Sequence, residues 1–60
     1  MPRDGRLTYA EFLIVGLVVE GLTNKEIAKR MGVSEKTIKN RLRIIFKKLN
    51  IKSRYELYPD

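Results

Sequence analysis

The sequence predicts an all-α fold, a three-helix core followed by a short fourth helix, and three observations carry that expectation. Apolar residues recur at helical spacing through its 60 residues. Hydroxyl residues stand three positions before glutamates at repeated intervals, and Gly or Asn stands where the periodic segments end. A chain this short forms one domain, residues 1–60, with residues 1–6 expected as a flexible arm.

The first helix is expected from about Tyr9 to Glu20. Thr8-x-x-Glu11 reads as a capping box, in which hydroxyl and carboxylate satisfy backbone N–H groups that a new helix leaves unpaired. Gly21 supplies a left-handed turn and Leu22 folds back as an apolar clasp, while Gly16 in the middle of the helix is unfavourable. Thr23-x-x-Glu26 opens a second helix over about Asn24 to Met31, with Ile27, Ala28 and Met31 on one face and a stop at Gly32. The third and longest helix starts after Ser34, with Glu35 beside its positive end, and runs to Leu49. Asn50 can take the left-handed position there, and Ile51 follows as the returning apolar residue. Ser53-x-x-Glu56 is a third capping-box pattern, opening a helix of barely five residues before Pro59.

Composition narrows the chemistry. Cys and His are both absent, which removes disulfides, thiol nucleophiles, metal sites built on either ligand and the commonest general base. With no room for a cleft either, the chain reads as a non-enzyme with no cofactor, no metal and no small-molecule ligand. A reducing, cytoplasmic and nucleoid-associated setting fits. The longest apolar run, Phe12 to Val19, is bracketed by Glu11 and Glu20 and falls far short of the roughly 20 residues that span a bilayer. Thirteen Lys and Arg against seven Asp and Glu give a formal charge of +6, the balance of a protein that meets polyanions. The basic residues Lys36, Lys39, Arg41, Arg43, Lys47, Lys48, Lys52 and Arg54 fall in one window that holds no acidic residue.

At about 100° per residue, Ile38, Leu42, Ile45 and Leu49 form one apolar stripe on the third helix, with Phe46 at its edge. Lys36, Lys39, Asn40, Arg43 and Lys47 form a polar, nearly all cationic stripe opposite. A solvated face would account for the charge alone. Long donors plus an amide near the helix start are, in addition, what reaches the edges of bases in a major groove.

Ala28 is small where two helices cross, Gly32 permits a tight turn, Val33 is expected as an anchor within it, and Ile38 locks the third helix on the second. Together these make a helix-turn-helix. The chain here resembles the LuxR/GerE/NarL-type family in Leu7-Thr8-x-x-Glu11, in the run Glu20 to Ala28, in Ser34-x-x-Thr37-Ile38-Lys39, and in Lys48 to Ile51 with Ser53-Arg54-x-Glu56. The resemblance covers residues 7 to 57. It implies a four-helix DNA-binding domain whose third helix enters the major groove, with base contacts from Lys39, Asn40 and Arg43. It also implies phosphate contacts from Thr23, Thr37, Arg41 and Lys48, to which the outward cations Lys36 and Lys47 are added. The expected function is a bacterial transcriptional regulator that binds specific sequences of double-stranded DNA.

Two segments depart from the pattern. Ala10, Phe12 and Leu13 stand where relatives usually carry charge, so Phe12, Leu13 and Gly16 are candidates for contact with a second copy or another protein, with a private core role as the rival. Tyr55, Leu57 and Tyr58 offer a smaller apolar surface, for which capping of the core is the plainer reading. The second functional reading is accordingly a protein-binding module acting on RNA polymerase or another transcription factor. RNA ranks third, since its narrow major groove excludes a reading helix.

Overall fold

The computed structural model describes residues 6–58, so all of the expected arm except Arg6, and the stop at Pro59, lie outside the described residues. Three α-helices follow one another, α1 (Tyr9–Val19), α2 (Asn24–Met31) and α3 (Glu35–Leu49), and a single 3-10 turn (Arg54–Leu57) closes the order. Among the described residues there is no strand, and no helix is long and apolar enough to cross a membrane.

Local chemistry sets the starts. Thr8 and Thr23 each accept a hydrogen bond from the N–H three residues on, at 3.2 Å in both cases, while the Glu11 and Glu26 carboxylates accept from the threonine N–H groups at 2.9 and 2.8 Å. Ser34 caps α3 by accepting from the Thr37 N–H at 3.1 Å.

The ends are equally local. Gly21, Gly32 and Asn50 take φ values of +97°, +73° and +59°, the left-handed region that glycine enters freely and asparagine tolerates. Each reversal lets the next N–H reach back five residues, Leu22 to Leu17, Val33 to Ala28 and Ile51 to Phe46, at 3.0 to 3.1 Å.

The fourth element differs from expectation. Ser53 makes no side-chain cap; instead the Glu56 carboxylate accepts from the Lys52 N–H at 2.9 Å, one residue earlier than a capping box requires. With only one turn to build, the segment tightens to 3-10 geometry.

Ile14, Val18, Ile27, Ala28, Ile38, Leu42 and Ile45 form the buried core, and each of the large ones stabilises the fold by about 1.5–3 kcal/mol. The apolar stripe of α3 therefore turns inward as its spacing predicts. Leu22, Phe46, Leu49, Leu57 and Tyr58 pack around this centre, half-buried. Val33, expected as an anchor, is 43% exposed, and its tie to the turn is the backbone bond to Ala28.

Candidate nucleic-acid interface

The side of α3 away from the core carries Lys36, Lys39, Asn40, Arg43 and Lys47, and all five are exposed. Burial of Ile38, Leu42 and Ile45 leaves them no other direction. The starts of α2 and α3, capped by Thr23 and Ser34, add the partial positive charge of helix N-termini.

Arg43 and Asn40 act as a unit. The Arg43 guanidinium donates through Nη2 to Asn40 Oδ1 at 2.9 Å, one turn back on the same face. That bond occupies one of the amide oxygen's two lone pairs and leaves the other, the amide N–H₂ and most of the guanidinium donors free. Together with Lys36, Lys39, Phe46 and, from outside α3, Asn24 and Arg54, the pair lines an open groove floored by Leu42.

The remaining expected contacts are dispersed. Thr37 is half-buried and its hydroxyl lies 3.0 Å from that of Ser34, at the very start of α3. Thr23 is exposed at the start of α2, where its oxygen already accepts from Glu26. Arg41 is exposed and lies on the other flank of α3, beside Ala10 and Val33.

Lys48 has a role in the fold that local spacing did not reveal. Its ammonium lies 2.7 Å from Glu11 Oε1, and the Glu11 side chain is only 3% exposed. The Lys48 hydrogen bond, followed by that from the Thr8 N–H, holds the Glu11 carboxyl below the ordinary glutamate range against the opposing effect of burial. Among the described residues Lys48 is the one α3 cation paired with a carboxylate.

Arg54 also turns inward, donating to Asn24 Oδ1 at 2.9 Å and to the Leu22 carbonyl at 2.8 Å. It ties the 3-10 turn to the start of α2 and so holds one wall of the groove. The clue in the sequence was an arginine directly after the break at Ser53, but nothing there named its partners.

Of the residues expected at a protein contact, Phe12 and Leu13 are 64% and 39% exposed and Gly16 is exposed between them. Tyr55 is 77% exposed, Leu57 and Tyr58 pack against the core, and the Tyr55 and Tyr58 rings meet with their centroids 6.3 Å apart. Among the described residues no group of His, Cys, Asp or Glu comes together that could hold a metal ion.

The chain matches the family described as bacterial regulatory proteins, luxR family, over residues 6–59. It is 48% identical over 53 residues to the DNA-binding transcriptional activator DevR/DosR of Mycobacterium tuberculosis, covering 88% of this chain and 24% of that protein. It is 43% identical to the transcriptional regulatory protein YdfI of Bacillus subtilis over 88% of this chain and 25% of that one. The HTH-type transcriptional regulator MalT of Vibrio campbellii is 39% identical over 93% of this chain, which corresponds to 6% of that much longer protein. No solved structure matches the chain.

Proposed function

This chain belongs to the luxR family of bacterial regulatory proteins, and on that premise we propose that it binds specific sequences of double-stranded DNA, with α3 in the major groove, to regulate transcription. The observation that carries the reading is the exposed stripe of Lys36, Lys39, Asn40, Arg43 and Lys47 on a helix whose other side is locked into the core. Membership accounts for the fold, and the stripe accounts for the ligand.

Recognition divides by chemistry. Phosphates fix the register without reading sequence, and Thr23, Lys36, Thr37, Arg41 and Lys47 are the side chains for that task, with Lys48 contributing what its bond to Glu11 leaves free. Base edges are read by Lys39, Asn40 and Arg43. A guanidinium or ammonium matches guanine O6 and N7, and an amide matches adenine N6 and N7. Because Asn40 already holds Arg43, the guanidinium enters the groove oriented, and less rotamer freedom is lost on binding.

Selection of duplexes from a random pool tests this reading. A recovered consensus whose preference relaxes at one base pair in Arg43→Ala supports it; a pool that stays random excludes specific reading.

A protein-binding module acting on RNA polymerase is the second reading, and the exposed apolar residues of α1 are the observation in its favour. A chain that shifts no duplex at low salt yet is retained by polymerase would replace the first reading with this one.

A further inference from the structure

Tyr9, Phe12, Leu13, Gly16 and Val19 fall within about 120° of arc on α1, opposite the face that Ile14 and Val18 bury. Four of the five are large and apolar, and they are 77%, 64%, 39% and 37% exposed in order, omitting Gly16. The fifth, Gly16, sits in mid-helix with nothing within 4 Å of where a Cβ would stand. Glycine is among the least favourable residues for a helix interior, and neither its backbone nor any neighbour in this chain requires one there. The fold explains neither the oily surface nor the gap in it.

We infer that this stripe is an interface between two copies of this chain, packed antiparallel across a two-fold axis at the level of Ile14. The spacing is self-complementary about that point. Phe12 of each copy lies opposite Gly16 of the other, ring into gap, and Tyr9 of each lies opposite Val19 of the other, as an isologous contact demands. Close approach of two helices at a glycine is what the missing side chain permits.

Charge selects the same occupant. The chain carries +6, yet from Leu7 to Asn24 it holds no Lys or Arg, so α1 is the face through which two such copies meet with least repulsion. None of the five stripe residues is charged, and the exposed Glu20 adjoins only their C-terminal end. Its exposed side chains offer on the order of 400–500 Å² per copy, which places the pair at the weak, reversible end of specific interfaces. Two copies held on adjacent DNA half-sites would gain from their raised local concentration.

Sedimentation equilibrium of the 60-residue chain tests the inference without DNA, so that its outcome is independent of the DNA-binding reading. The parent chain should approach twice its monomer mass as concentration rises, more readily when added salt screens the repulsion. Phe12→Lys should remain monomeric with unchanged helix content, because its ring is mostly outside the monomer's core. Gly16→Ala should associate about tenfold more weakly while melting at a higher temperature than the parent, a combination that damage to the fold does not produce. A parent chain that is monomeric at every concentration overturns the inference. So does a dimer whose association constant is the same in Gly16→Ala, whatever Phe12→Lys does.

Discussion

Lys48 Nζ lies 2.7 Å from Glu11 Oε1, joining the last turn of α3 to the first turn of α1 across 37 positions of sequence. The same carboxylate also caps α1 through the Thr8 N–H, so one buried group serves a helix start and a tertiary tie together.

Removing Lys48 therefore costs stability before it costs affinity. Lys48→Met leaves Glu11 buried with its capping bond but no counter-charge, and a loss of about 2–3 kcal/mol is expected in urea unfolding, less than for a fully enclosed pair because Lys48 is partly solvated. An unchanged unfolding midpoint would contradict this.

The same pair sets a response to acid. Glu11 is held below its ordinary value, so the folded state binds that proton more weakly than the unfolded chain does. Its contribution is whole above the unfolded value of about 4.3 and drains away as pH falls through the lower folded value. Thermal melts of the parent and Glu11→Gln should differ most at neutral pH and converge in acid; a constant gap across that window would count against the pair.

One substitution at two sites should move stability in opposite directions. Gly32→Ala places a side chain at φ +73° and should cost about 1 kcal/mol even though the space around it is open. Gly16→Ala removes a flexible residue from an ordinary helical position and should add about 1 kcal/mol to the monomer. Thermal midpoints shifting the same way in both would refute the backbone argument.

These contrasts show what the sequence disclosed. Capping at Thr8, Thr23 and Ser34, the reversals at Gly21, Gly32 and Asn50, and the inward stripe of Ile38, Leu42 and Ile45 were legible because each depends on residues within one or two turns. The stripe of exposed cations was legible for the same reason, as the complement of the apolar one. The Glu11–Lys48 bond and the Arg54 ties to Asn24 and Leu22 were not, since they join residues 30 or more positions apart and only the packed fold brings them together. At Ser53 the local pattern misled: the spacing to Glu56 matched a capping box, but the carboxylate bonded Lys52 N–H instead. For Phe12 and Leu13 the residue types alone left core and surface equally open, and the structure exposes both.

Binding to DNA should separate readers from anchors. Arg43→Ala is expected to cost about 1–3 kcal/mol on the selected duplex and little on random DNA, whereas Lys47→Ala weakens both alike and lowers the salt slope by about one. Asn40→Ala should reduce the penalty of a later Arg43→Ala, because the bond between them has gone. Equal losses on both duplexes for every variant would refute the division of roles.

With about four to six phosphates neutralised per domain, log affinity should fall against log salt with a slope of roughly −4 to −5. A slope near zero would mean that the cations of α3 do not meet the phosphate backbone.

The most direct measurement is an amide NMR titration of the chain with a selected duplex. The account predicts shifts concentrated at Thr23 to Lys25 and from Ser34 to Lys47, the two helix starts and the cationic face of α3. Shifts confined to α1, with the amides of Lys39, Asn40 and Arg43 unmoved at saturation, would contradict it.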